Sequence, residues 1–175
     1  MTCLETLPES LKKKKHISFT VTGTGITGLQ WLERLEKGNY EISEPAKKLL
    51  SHPGYDANHR LVTGREYTVT LVTGKEIRNK KNRNIPNLLS RVKEELSKTT
   101  TGIKAEFVFL IREKFTNDEM EAMNISYIAV VHEFIDGVPH IFRSCCGDRG
   151  RSIVSDLYLR SSFRWQDRCA FAFTD

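Results

Sequence analysis

No apolar run in this 175-residue chain approaches the ~20 residues that a membrane-spanning helix requires. The first 15 residues also lack the hydrophobic stretch that heads a secreted protein. Both absences lead us to expect a cytoplasmic protein that does not engage a membrane. Cysteine is scarce, with Cys3, Cys145, Cys146 and Cys169 the four present. No two of them stand as C-x-x-C, and two are adjacent, so on a strand they point to opposite faces. Neither a zinc site of the usual spacing nor a disulfide framework is expected. The five histidines, His16, His52, His59, His132 and His140, show neither H-x-x-x-H nor H-E-x-x-H, so we expect no metal, and we expect no bound cofactor. Self-similarity at the period of solenoids or propellers is missing as well.

What remains is an ordinary globular composition with a positive balance. Hydrophobic residues make up 39% and charged residues 28%, with a net charge of +5. Such a chain fills one hydrophobic core. We expect a flexible basic tail over residues 1–15, ending in the lysine run 12–15, and a single α+β domain over 16–175. The positive charge suits an anionic partner.

Periodicity places the elements. Residues 16–22 alternate, with Ile17, Phe19 and Val21 on one face of a strand, and 65–73 repeat the pattern with Tyr67, Val69 and Leu71. Residues 29–37 carry Trp31, Leu32 and Leu35 at helical spacing, with Gly38 placed to end the helix. Ser43 is an N-cap for a helix over 44–51, with Pro45 in its first turn. Residues 52–61, containing Pro53-Gly54, read as a loop. Ile85, Leu88, Leu89, Val92 and Leu96 recur at helical spacing. Residues 105–115, apolar on both faces, read as a central strand. Thr116 and Glu119 form a capping box for a short helix. Strands over 126–135, 138–146, 152–159 and 168–173 then follow as a meander. The predicted fold is α+β: a mostly antiparallel sheet of about five or six strands, ending in a C-terminal β-meander, with helices packed on one face.

One turn predicts a register. Asp136-Gly137 lies between two β-rich runs, the strongest short hairpin signal. A two-residue turn there sets Ile135 opposite Val138 and Glu133 opposite His140. A carboxylate beside an imidazole is the arrangement of a general base, so Glu133 and His140 are the candidate catalytic pair of a small hydrolase. A second candidate is the loop with Gly23, Gly25 and Gly28, which matches G-x-G-x-x-G between a strand and a helix and so could bind a nucleotide. The third is the basic set. Arg149 and Arg151 lie in a hairpin loop, Arg164 stands beside Trp165, and Arg168 follows. Arg78, Lys80, Lys81 and Arg83 form a basic loop. Arginine's planar fork suits phosphate and carboxylate. From this set we expect a small non-enzymatic binding module whose arginine-rich edge meets nucleic acid or an acidic protein surface.

Overall fold

Alternation of Ile17, Phe19 and Val21 with Ser18, Thr20 and Thr22 makes the first strand, β1 (Ile17–Thr22), as predicted. The computed structural model describes residues 16–76, 83–98, 100–137, 139–147, 150–157 and 165–175, and the expected tail over 1–15 lies outside them. Thr27 caps α1 (Gly28–Lys37), its hydroxyl accepting from the Gln30 N–H while the Gln30 side chain returns to the Thr27 N–H. Trp31 and Leu35 are the buried stripe of this helix. Gly38 ends it without entering the left-handed region, at φ −80°, and Asn39 takes φ +56° instead. The Asn39 and Tyr40 N–H groups then bond the Glu36 and Leu35 carbonyls, each at 3.0 Å, closing the helix end in a Schellman motif.

β2 (Glu41–Ile42) leads into α2 (Glu44–Leu50), which Ser43 caps as expected and which buries Ala46, Leu49 and Leu50. The segment predicted as a loop over 52–61 contains α3 (Pro53–Asn58). Pro-Gly reads as a turn, yet proline at the first helical position is pre-set for the helix and lacks only an N–H that would go unpaired anyway. His52 supplies the cap, its Nδ1 accepting from the Gly54 N–H at 3.0 Å. β3 (Glu66–Thr73) and α4 (Ile85–Leu96) stand where predicted, α4 capped by Asn84.

Residues 105–115 bring the largest correction, because they form a helix, α5 (Glu106–Lys114), and not a strand. Every residue from Glu106 to Arg112 is buried. A helix covered on all sides has no amphipathic stripe, and a short apolar run of this kind does not distinguish buried helix from buried strand. α6 (Asn117–Ala122) follows, with the Thr116–Glu119 capping box in place.

The remaining strands are β4 (Tyr127–Val130), β5 (His140–Gly147), β6 (Gly150–Leu157) and β7 (Cys169–Thr174). They complete a seven-stranded sheet in the order β1-β3-β7-β4-β5-β6-β2. The sheet is mixed: β7 runs parallel to β4, and β2 parallel to β6, while the other pairs are antiparallel. The meander holds for β4-β5-β6 only. β7 leaves it and inserts between β3 and β4, because all six of its residues are buried and an edge could not bury them.

The register puts Ile17, Phe19, Tyr67, Val69, Leu71, Ala170, Ala172 and Phe142 on one face. α5 lies on this face, with Phe115 edge-on to Phe19 at 4.9 Å, Phe107 to Tyr67 at 5.3 Å and Phe109 to Phe142 at 5.3 Å. Over β3 and β7 the opposite face is buried too, through Val72, Phe171 and Phe173, with Trp165 against Phe171 at 4.8 Å. One-sided cover, expected of a sheet with helices packed on one face, is therefore not what the Val69–Val72 stretch of β3 experiences.

The hairpin register also differs from expectation. Val130 pairs with Phe142, one position away from the pairing that a two-residue turn at Asp136-Gly137 imposes. The chain leaves the sheet after Val130 because Val131, His132 and Ile135 turn into the core. Gly54 makes room for that departure: a Cβ there would lie 2.1 Å from the Ile135 carbonyl oxygen. Glu133 and His140 are consequently not cross-strand neighbours.

Candidate functional site

At the start of β5 a cleft of about 230 Å³ is lined by Pro45, Lys48, Leu49, His52, Asp136 and His140. Drug-sized ligands occupy roughly 300–1,000 Å³, so this cleft suits a small group and not a whole nucleotide. Local structure places each side chain. Leu49 is buried and sets the rotation of α2, which leaves the preceding Lys48 exposed at the rim. The His52 cap uses Nδ1 as acceptor, so the ring proton sits on Nε2 as a donor. His140 opens β5, with Nδ1 3.3 Å from the Ser155 hydroxyl. Ser155 is itself fixed, since its N–H bonds the Ser43 hydroxyl at 3.3 Å, the same hydroxyl that caps α2. Strand, helix and imidazole are thereby held in one relation. Three basic side chains and one carboxylate share the space.

Of the predicted catalytic pair, His140 lines this cleft and Glu133 does not. Glu133 is exposed, and its N–H bonds the Ile103 carbonyl at 3.3 Å. Asp136, read from sequence as a turn residue, is the acid that shares the cleft with His140. Lys48 and His52 were missed altogether. No spacing rule links α2 to β5; the parallel pairing of β2 with β6 and the Ser155–Ser43 hydrogen bond bring them together.

The Gly23–Gly28 loop is built for an anion, and the anion is internal. Glu106, fully buried, accepts from the Thr24 N–H (2.8 Å), the Thr24 hydroxyl (2.7 Å), the Gly25 N–H (3.0 Å) and the Leu61 N–H (2.6 Å). The Gly28 N–H donates to Asp56 at 2.8 Å. The donors that a phosphate would need at Thr24, Gly25 and Gly28 are thus engaged by the protein's own carboxylates. Close packing accounts for the glycines: a Cβ on Gly28 would lie 1.8 Å from the Leu50 carbonyl oxygen, and Gly25 holds φ +62°.

Within the predicted anion-binding set, Arg78, Lys80, Lys81, Arg149 and Arg164 lie outside the described residues. Arg83 is buried and paired with Asp167. Arg151, expected in a loop, sits within β6 and donates to the Tyr40 hydroxyl at 3.1 Å. Arg168 is exposed, and its carbonyl accepts from the Ser126 N–H and hydroxyl. These three described arginines serve separate local contacts.

Other buried polar groups went unseen in the sequence. Arg112 is fully buried in α5 and donates to the Phe115 carbonyl at 2.5 Å and to Asn117, tying α5 to α6. Burial holds its pKa below the usual guanidinium value. His132, 4% exposed, is held neutral by burial, its pKa down to about 4. Burial pushes the Cys146 thiol up, and the Cys169 thiol up to about 11, so neither is poised as a thiolate nucleophile. Among the described residues no group of His, Cys, Asp and Glu side chains could hold a metal ion. No helix among them is long and apolar enough to cross a membrane.

No protein-family model matches this chain, and comparison with curated proteins and with solved structures returns no significant match.

Proposed function

We propose that this chain is a small binding module for an anionic partner, and that the Lys48–His52–His140 cleft seats the partner's phosphate or carboxylate group. The convergence of these three basic side chains from α2, the α3 cap and β5 on one small cleft carries this reading. It keeps the anionic partner suggested by the net charge of +5 and moves its anchor from the arginine edge to the cleft. Nucleic acid and an acidic protein surface both present groups of the required size and sign.

Titration of the full chain with inorganic phosphate, followed by NMR, tests it. Resonances of Lys48, His52 and His140 should shift together, with an affinity that falls as salt is raised. Absence of any shift at these residues with phosphate in the tens of millimolar, at low salt, would falsify this assignment.

A second reading draws on one observation, the hydrogen-bonding distance between His140 Nδ1 and Ser155 Oγ. A ring oriented through Nδ1 leaves Nε2 to move a proton, so the cleft has one element of an acid–base site. Turnover of an ester substrate that disappears in His140→Ala would favour this reading over simple binding.

A further inference from the structure

Two buried imidazoles, one of them in the segment that carries Asp136, share one design. His59 and His132 are 0% and 4% exposed, and their rings meet edge to face at 5.3 Å. Each uses one nitrogen to accept from a backbone N–H. His59 Nδ1 takes the Ala105 N–H at 3.2 Å, and His132 Nε2 takes the Phe142 N–H at 3.3 Å. Both turn their protonated nitrogen toward residues 131–137, the segment that carries Asp136 into the cleft. His132 Nδ1 lies 2.6 Å from the Glu133 carbonyl. His59 Nε2 is buried without a hydrogen-bond partner, and the Phe134 backbone is the neighbour that favours a proton on this ring.

We propose that His59 and His132 form an acid-released latch: protonation frees residues 131–137 and opens the cleft while the rest of the sheet stays folded.

Geometry supplies the reason. A second proton on either ring sets an N–H against the backbone N–H it formerly accepted, in a space closed to water. Both contacts break, and with them the inward placement of the segment. Its other anchors include the Glu133 N–H to the Ile103 carbonyl at 3.3 Å, the buried side chains of Val131 and Ile135, and the close seat of the Ile135 backbone against Gly54. The charged and titratable groups around the pair do not offset the added charge. Lys104 opposes protonation of His59, and both His59 and His140 on β5 oppose that of His132. Glu133 favours it for His59, but its side chain is exposed to solvent. From α3, Tyr55 stacks on His59 without carrying charge. The carboxylate of α5, Glu106, is committed to the glycine loop. Burial is the dominant cause for both rings, lowering the His59 pKa and bringing that of His132 to about 4. Opening should therefore grow by up to about tenfold for each pH unit between the ordinary imidazole range and about 4.

The consequence for a ligand rests on the anion-binding reading of the cleft, whereas the latch itself does not. Amide hydrogen exchange on the full chain without ligand, corrected for intrinsic rates, separates the two. Between pH 7 and about pH 4.5, the Ala105, Glu133 and Phe142 amides should lose protection by about tenfold or more. Val72 and Phe171 amides, deep in β3 and β7, should keep theirs. The His132→Gln variant retains an acceptor for the Phe142 N–H and does not titrate, so it should suppress the loss at Phe142, while Ala105, which reports on His59, still loses protection. Protection of the three amides that persists through the range, or that falls in step with Val72 and Phe171, overturns the latch. So does a His132→Gln protein whose Phe142 amide loses protection as the wild type's does. Should that variant not fold, NMR titration of the wild-type rings decides, and a His132 that titrates at the ordinary imidazole value overturns the latch. Inorganic phosphate binding at pH 7 tests the cleft independently, and its failure removes the ligand consequence while the exchange result stands.

Discussion

The glycine loop and the His140 cleft both bring together polar groups from distant parts of the chain, and they are opposite in kind. At the loop, one buried carboxylate meets four donors and nothing is left over. At the cleft, three basic side chains meet one acid at the surface. A closed and satisfied network rigidifies a fold. An open one with unspent donors is where a ligand finds partners. The loop carries the sequence motif and the cleft carries none, so the motif and the proposed binding site part company here.

Variants sharpen that contrast. Glu106→Ala strands the Thr24, Gly25 and Leu61 N–H groups in the core, and we expect a loss of about 3–5 kcal/mol in denaturant unfolding. Glu106→Gln should recover part of it. A cost under about 1 kcal/mol would mean that water substitutes for the carboxylate, and the loop would then resemble the cleft.

Acid is the next lever. His132 binds a proton more weakly folded than unfolded, so the unfolded chain takes up more protons between pH 6.5 and about 4. Stability is full above the unfolded value and falls as pH drops through this window, by at most about 3 kcal/mol. Urea midpoints at a series of pH values measure it, and a flat profile would show that the ring is not held neutral.

Gly28→Ala should cost about 2 kcal/mol, because its Cβ would press on the Leu50 backbone and leave α1 and α2 to separate. The smallest effect belongs to the cleft. Lys48→Ala and His140→Ala should change stability by less than about 1 kcal/mol while removing phosphate-induced shifts. Large destabilisation by either variant would recast the cleft as architecture.

Much of the fold was legible where the signal is local. Capping at Ser43 and Thr116, alternation in β1 and β3, and the apolar stripe of α4 each involve neighbours within a turn or a strand. Asp136-Gly137 shows the limit of such signals. Gly137 does adopt φ +79°, yet burial of His132 and Ile135 outweighs the tight turn and shifts the pairing by one position. Of the cleft, only His140 could be singled out, because Lys48 and His52 reach it through pairing between strands far apart in the chain.

Left to itself, the order of residues determined where most helices and strands begin and what caps them, since those preferences are settled within a few residues. Tertiary structure alone decided that residues 106–114 coil into a helix, that β7 enters the middle of the sheet, and that α2 meets β5. Apolar residues buried on every side carry no local preference strong enough to choose, so the chain's state there is set by what must cover it.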